Sequence, residues 1–386
     1  MAERHYRVAA LPGDGIGPEV VAEAREVLDA AGDAYGFEID WTELLVGGAA
    51  IEVYGMPIRT VDLEICRDSD AVLLGAVGGP AWSDPNAAIR PEQALFALRG
   101  GLELFANLRP INVHPALAAS SPLRPELLEG VNLVIVRELT SGIYFGRPSE
   151  ERQTADGRLA VDTLLYSEAE IRRVVRLAFK LAEGRRGKLT SVDKANVLAS
   201  SRLWRKVVEE ERGAFPDVEV EHQLVDSCAM LLVKEPTAFD VLVTENLFGD
   251  ILSDEASVLA GSLGLLPSAS LGDRRTSHGI FGLYEPIHGS APSLVGTGRA
   301  NPVGTILSGA MLLRLSLGED EAATAVELAV EAAISQGYRT PDLMPGTADP
   351  HGPMLISTSG RGFTDRITEL LRTGLDVMAV PAGDPV

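Results

Sequence analysis

Two carboxylates stand four residues apart in Asn246-Leu247-Phe248-Gly249-Asp250-Ile251-Leu252-Ser253-Asp254. In a helix, Asp250 and Asp254 leave from one face. Such a pair repels unless a cation or a strong donor lies between them. Oxygen donors without a histidine or cysteine cluster favour Mg2+ or Mn2+ over zinc. The plainer reading of the same spacing is a solvated helix face. Asp226, after the strand-like Leu224-Val225, offers a third carboxylate; otherwise it caps a helix starting near Ser227. Arg99, Arg109 and Arg137 present planar, paired donors suited to a small anionic substrate, or they tie the fold together through acids. Lys194, in Ser191-Val192-Asp193-Lys194-Ala195-Asn196, is a candidate general base. A nearby cation would disfavour its protonated form. Tyr144, in Ser141-Gly142-Ile143-Tyr144-Phe145-Gly146, could deliver a proton from its phenol. A solvated lysine and a packed aromatic are the simpler alternatives.

The elements that would carry these groups follow from apolar runs and their punctuation. Tyr6 to Leu11 reads as a buried strand, stopped by Pro12, Gly13, Gly15 and Gly17. Pro18 then opens a helix. The GDGIG spacing is not the GxGxxG dinucleotide fingerprint, so no Rossmann domain is inferred from it. Ala71 to Leu74 is a second strand, ending in the glycines Gly75, Gly78 and Gly79. The apolar runs Val131–Val136, Leu189–Val192 and Val241–Thr244 deliver Arg137, Lys194 and Asn246 at their ends. Strand ends that repeatedly present polar groups predict an α/β architecture with a cleft at the carboxyl edge of a sheet. Helices are predicted at Glu168–Glu183, Val197–Arg212 and Glu319–Ser335. Gly146–Gly157 reads as a loop or arm, Gly272–Gly282 as a loop, and the end beyond Val377 as a frayed tail. The compact polar stretch Glu285-Pro286-Ile287-His288-Gly289-Ser290-Ala291-Pro292 contains a histidine that could meet an adenine, and Asn301 could read an adenine edge.

The bulk properties narrow the classes. The chain has 386 residues, 46% of them hydrophobic, which suffices for a large core or two joined domains. A net charge of −21 opposes binding to nucleic-acid backbones. Cys66 and Cys228 form no CxxC pair, and burial as small hydrophobes is the plain expectation. No apolar run reaches membrane-spanning length, and the start lacks the apolar core of a signal peptide. A cytoplasmic enzyme is the default expectation.

Taken together, LPGDGIGPEV, LLGAVGGP, LFANLRP, VRELTSGIYFG, SVDKANVL, EHQLVDSCAM, NLFGDILSDEAS, GSLGLLPSAS and EPIHGSAP resemble the β-decarboxylating isocitrate/isopropylmalate dehydrogenase family. The resemblance runs from Val8 to about Leu317. It implies a two-domain fold distinct from a conventional Rossmann domain. Residues 1–104 and 263–386 would form the discontinuous first domain, with most cofactor contacts. Residues 105–262 would form the second, with the dimer interface and an arm. Active sites would be shared across a homodimer, with Lys194 and Asp226 from one subunit and Arg99, Arg109, Arg137, Tyr144, Asp250 and Asp254 from the other. The implied reaction is oxidative decarboxylation of (2R,3S)-3-isopropylmalate to 4-methyl-2-oxopentanoate and CO2, a step of leucine biosynthesis, with NAD and Mg2+ or Mn2+. Lys194 would be the base, Tyr144 the proton donor, and Asp226, Asp250 and Asp254 the metal ligands, with Asp250 also touching substrate.

By the same likeness Glu92 and Leu95 would face the substrate side chain. Ile16, Gly78, Gly79, Glu285, His288, Gly289, Ser290, Ala291, Ser293 and Asn301 would line the cofactor site. Ser293 stands where NAD-preferring relatives carry an aspartate, which implies NAD with weakened discrimination against NADP. The region Asp342–Gly352, with Gly346-Thr347-Ala348-Asp349, departs from the family pattern. Tartrate, homoisocitrate or another 3-substituted malate are the alternative substrates, and a catalytically silent homodimeric binding protein is the alternative of another class.

Overall fold

The computed structural model describes residues 4–82, 84, 87–345 and 354–374. The chain divides into two compact units. The first holds the described residues of Met1–Leu104, His114–Arg124 and Ala260–Gly383; the second holds Phe105–Val113 and Pro125–Leu259. His114–Arg124 and residues 260–262, expected in the second domain, group with the first unit. Gly346-Thr347-Ala348-Asp349 and the tail beyond Val377 lie outside the described residues.

In the first unit five strands lie in the lateral order Phe37–Glu43, Arg4–Gly13, Ala71–Ala76, Ile280–Pro286 and Pro267–Arg275. The first four are mutually parallel and the last pairs antiparallel. Ala71–Ala76 is buried along its whole length, as expected for a strand covered on both faces. Gly17–Tyr35, with proline in its first turn, ends at Gly36 in the left-handed conformation and packs on Val303–Leu312 and Gly360–Thr373. The predicted loop at Gly272–Gly282 is instead the end of one strand, a turn at residues 276–279 and the start of the next. Charged Asp273, Arg274 and Arg275 disguise the strand, because this part of the antiparallel ribbon has a wet side. Arg274 lies over the Phe281 ring, its guanidinium carbon 4.2 Å from the ring centre.

The second unit orders its strands Ala106–Asn112, Asn132–Glu138, Val241–Thr244, Lys188–Asp193 and Glu219–Leu224. Only the first pair is antiparallel. The helix Glu168–Glu183 matches the predicted span and opens with a reciprocal capping box between Ser167 and Glu170. Ala199–Arg212 begins two residues later than predicted, because the amides of Val197 and Leu198 both turn back to the Lys194 carbonyl. Asp320–Ser335 realises the third predicted helix. The polar stretch from Gly146 contributes the strand Glu150–Thr154, which pairs with Gly157–Val161 in a two-stranded antiparallel ribbon. Ladder bonds, rather than apolar burial, order this segment, so hydrophobic periodicity gives no sign of it. Both cysteines are buried, and burial pushes each thiol up to about 12.

Candidate active site

The second unit gathers its polar chemistry at the carboxyl ends of four parallel strands. Arg137 is the penultimate residue of Asn132–Glu138. Lys194 follows Asp193, Asp226 follows Leu224 by two residues, and the helix Asn246–Ser257 starts just beyond Thr244. Arg109 reaches the same face from the neighbouring antiparallel strand. Asn107 pairs with Arg137 in the ladder, so Arg109 and Arg137 are diagonal neighbours.

The expected helix around Asp250 and Asp254 is present as Asn246–Ser257. Glu245 caps it, accepting bonds from the Phe248 and Leu247 amides at 2.9 and 3.2 Å. Asp250 is bound by the Arg137 guanidinium, and its Oδ2 accepts the Tyr144 hydroxyl at 2.9 Å. Arg109 lies between the two acids. Its Nη1 is 3.2 Å from Asp254 Oδ1, and its Nη2 is 3.9 Å from Asp250 Oδ1. The donors that like charges at this spacing require are therefore the two arginines. Arg109 is aimed by Asn107 Oδ1, 2.8 Å from its Nε, and by the Ser253 hydroxyl, 2.7 Å from Nη1. Arg137 Nε donates to Asn246 Oδ1 at 3.0 Å. Gly249 makes this packing possible, since a Cβ there would lie 2.7 Å from Arg137 Cγ and 2.9 Å from its Cβ. Tyr144 is 40% exposed. Burial of its ring edge, then the bond to the Asp250 carboxylate, pushes the phenol up to about 12.

Lys194 Nζ and Asp226 Oδ1 form a second cluster, 2.7 Å apart. Asp226 lies in the first turn of Val225–Lys234 rather than at its cap, which is Leu224. The bond from Lys194 is the chief reason its carboxyl is held below the usual range. The Lys194 backbone is braced from two sides. Its amide donates to Ser201 Oγ at 3.0 Å, and Asp193 accepts from the Ala195 amide and from Arg205 in a forked pair. Among the described residues, no group of three or more His, Cys, Asp or Glu side chains in one chain is placed to hold a metal ion. Asp226 and Asp254 are nonetheless more than 60% exposed at the side chain, and each has only a single cationic partner among the ion pairs of the described residues. Hard oxygen donors open to solvent fit Mg2+ or Mn2+.

In the first unit three glycine-rich turns meet at one sheet edge, after Arg4–Gly13, Ala71–Ala76 and Ile280–Pro286. Asp14, which sequence reasoning passed over as part of a glycine turn, ties the first two to the start of the helix Gly47–Tyr54. Its carboxylate accepts the amides of Gly48, Ala49 and Gly78 at 2.7–2.8 Å. An acid set between the glycines Gly13 and Gly15 was the available signal. The Ile16 amide donates to the Ser290 carbonyl at 2.9 Å, and Gly15 permits the approach, since a Cβ there would stand 2.0 Å from that oxygen. Ala291 takes a positive φ of 38°, a strained setting for a non-glycine residue. Ser293 is exposed, and Gly289 has open space around its Cα.

His288 Nδ1 bonds to the Gly289 carbonyl at 2.9 Å, while its buried Nε2 has no partner among the described residues. Burial holds its pKa below the ordinary histidine value, so the ring is neutral and Nε2 is an acceptor. That orphaned acceptor fits the amino group of an adenine. Asn301 accepts the Val303 amide at Oδ1 and donates to Asp342 from Nδ2 at 2.9 Å. Arg99 Nη2 is 3.4 Å from Glu285 Oε1, and its Nε is another buried atom without a partner among the described residues. Glu92, Leu95 and Arg99, at helical spacing along Gln93–Gly101 and its N-cap, share one side of that helix. Leu95 packs partly on the core.

Parallel strands ending in glycine turns in one unit, and an arginine–carboxylate cluster with a poised phenol in the other, define an α/β enzyme acting on a small acid. A sequence model described as isocitrate/isopropylmalate dehydrogenase matches residues 7–360. The chain is 51% identical to the 3-isopropylmalate dehydrogenase of Aquifex aeolicus, over 95% of this chain and 98% of that protein. It is 54% identical to the enzyme of the same name from Geobacillus kaustophilus, over 97% of each chain. Among solved structures, the isocitrate dehydrogenase of Methylococcus capsulatus is similar with a TM-score of 0.81 at 33% identity, covering 95% of this chain and 99% of that one. The chain belongs to the isocitrate/isopropylmalate dehydrogenase family, and is a β-decarboxylating dehydrogenase by class.

Proposed function

We propose that this protein oxidises and decarboxylates (2R,3S)-3-isopropylmalate to 4-methyl-2-oxopentanoate and CO2 in leucine biosynthesis. It would use NAD and Mg2+ or Mn2+, and act as a homodimer with shared sites. The observation that carries this reading is the Asp250–Asp254 helix clasped by Arg109 and Arg137, with the Tyr144 hydroxyl on Asp250. More than half of the residues in the matched regions are shared with relatives named 3-isopropylmalate dehydrogenase, against a third with the isocitrate dehydrogenase. The apolar Leu95 beside Arg99 also favours an alkyl side chain over a third carboxylate.

When bound, NAD would supply a hydride acceptor and the divalent cation a Lewis acid, with Asp250, Asp254 and the partner's Asp226 as the residues that would hold the cation. Arg99, Arg109 and Arg137 orient the two carboxylates without entering the covalent steps. The partner's Lys194, beside the partner's Asp226, would take the C2 hydroxyl proton. The resulting ketone lies β to a carboxylate, so CO2 loss leaves its electrons in an enolate. Tyr144, whose hydroxyl lies 2.9 Å from Asp250, is the acid that returns a proton to carbon. His288 accepts from adenine, and Ile16, Gly78, Gly79 and the 285–293 loop line the rest of the cofactor. Exposed Ser293 brings no charge against a 2′-phosphate, and no positive charge to hold one.

A substrate panel tests this: isopropylmalate, isocitrate, homoisocitrate and tartrate, each with NAD or NADP and Mg2+ or Mn2+, followed by nicotinamide absorbance. The highest kcat/KM should fall to isopropylmalate with NAD. A higher value for another acid, or for NADP, would reassign the substrate or the cofactor. No turnover by a verified dimer would favour a silent binding protein.

A further inference from the structure

Beneath the candidate site lies a buried cluster that the chemistry above does not use. Glu138 and Glu245 are 0% and 5% exposed, and the Tyr166 hydroxyl stands between them, 3.3 Å from one carboxylate and 3.4 Å from the other. The same oxygen accepts the Asn246 amide at 2.9 Å. Asn246 holds Arg137 through Oδ1, and donates to the Ser141 carbonyl through Nδ2 at 3.1 Å. The turn carrying Tyr144 rests on the same spot, for a Cβ on Gly142 would lie 2.7 Å from the Tyr166 oxygen. Three pieces of backbone, bearing Arg137, Tyr144 and Asp250, thus meet at one phenol.

The partners divide unequally. Glu138 accepts the Thr140 amide and hydroxyl at 2.9 and 2.6 Å and the Ser141 amide at 2.9 Å, with Arg173 Nη2 3.6 Å away. Among the described residues, Glu245 has the two capping amides and the phenol as hydrogen-bond partners. Two buried carboxylates sharing one phenol proton cannot both be satisfied as anions. Burial raises both carboxyl pKa values, in keeping with one proton retained between them. The charged groups facing the cluster are Arg173 and Glu170 from the Glu168–Glu183 helix, Arg137, and, across a small adjoining cavity, Asp193 with its Arg205.

We propose that Tyr166 is a positioning residue, relaying a hydrogen bond from protonated Glu245 to ionised Glu138 and thereby fixing Asn246, Arg137 and the Asp250 helix for the reaction. Glu245 gives its proton to the Tyr166 oxygen, and the phenol gives its own to Glu138 Oε2. This rests on the reading of Asp250 and Arg137 as substrate and metal groups. The arrangement differs from a merely structural one in predicting which carboxylate tolerates an amide. Glutamine at 245 mimics the protonated acid toward Tyr166 and gives up only the long 3.2 Å bond from the Leu247 amide, whereas glutamine at 138 turns a donor toward the short bonds from Thr140 or Ser141.

The test compares Tyr166→Phe, Glu138→Gln, Glu245→Gln and Glu245→Ala in the full-length dimer. It measures kcat and KM for isopropylmalate, and Mn2+ affinity by titration without substrate. Tyr166→Phe, Glu138→Gln and Glu245→Ala should each lose about 10-fold or more in kcat and in Mn2+ affinity, the range typical when a partner of a functional group is removed. Glu245→Gln should stay within about threefold of wild type on both measures, as a mimic of the protonated carboxyl. The proposal fails if Tyr166→Phe binds Mn2+ and turns over like wild type, or if Glu245→Gln is as damaging as Glu138→Gln. Should Tyr166→Phe not fold, the two volume-preserving glutamine variants decide alone. If wild type turns over none of the acids, the functional reading falls while the Mn2+ comparison still judges Tyr166.

Discussion

Lys194 carries the heaviest chemical duty proposed for a single side chain, and its surroundings make its removal informative. The backbone at 194 is braced by Ser201, and the next amide by Asp193 locked to Arg205, so Lys194→Ala should fold normally. Single-turnover NADH formation should fall by about 10²–10⁴-fold, the usual contribution of a positioned acid or base, with substrate affinity little changed. Steady-state kcat alone would understate the loss if product release limits turnover. His288 makes a prediction of opposite character. Burial lowers its pKa, so the neutral ring with Nε2 as acceptor is complete above the ordinary histidine range. The adenine contact is lost only when acid protonates Nε2. KM for NAD should therefore be flat from about pH 7 to 9 on account of this group and rise only on acidification below the ordinary histidine range. His288→Ala should raise KM for NAD roughly 10-fold at neutral pH while leaving kcat nearly intact, because the contact is made equally in ground and transition states.

At the scale of the element, the Asn246–Ser257 helix is addressed through Gly249. Its neighbour in space is the stem of Arg137, not the flexible end of a side chain. Gly249→Ala raises intrinsic helix propensity by about 1 kcal/mol. It also forces Arg137 off the helix, at a cost of about 1–3 kcal/mol for overpacking. The variant should show a lowered Tm and a fall in kcat/KM of at least about 10-fold, measurable by calorimetry and NADH absorbance. Activity equal to wild type would mean that Arg137 need not lie against this helix. Legibility also varied by element. The strands that deliver Arg137 and Lys194 were readable because buried parallel strands are continuous apolar runs bounded by polar residues. Gly272–Gly282 and the ribbon from Glu150 were not, because a strand wet on one or both faces looks like a loop when only hydrophobicity is read.

At the scale of the whole molecule, one face of the second unit bears on assembly. Asp226, Met230 and Val233 recur at helical spacing along Val225–Lys234, and Met230 and Val233 are 67% and 43% exposed. Ile251 and Val258 are likewise exposed on and just past the helix packed against it. In the proposed dimer, apolar residues beside this candidate metal ligand would form the subunit contact that brings Asp226 to the partner's site. Val233→Asp should yield monomers by sedimentation with unchanged far-UV circular dichroism. Its turnover should fall by about 10²-fold or more, since each site would lack Lys194 and Asp226. A fully active monomer would refute shared sites.

By itself the sequence determined the chemical inventory: oxygen donors at helical spacing, guanidinium groups for a diacid, an α/β succession, and motifs that resemble one family. Those properties are local, set by residue type and by spacing within an element. Only the tertiary structure decided who touches whom. It placed Arg109 across both aspartates, turned Asp14 into the tie between the Gly78 turn and the start of the helix Gly47–Tyr54, and brought Glu138, Tyr166 and Glu245 together from positions 28 and 79 residues apart. Long-range pairing follows strand order and packing, and neither is written in the spacing along the chain.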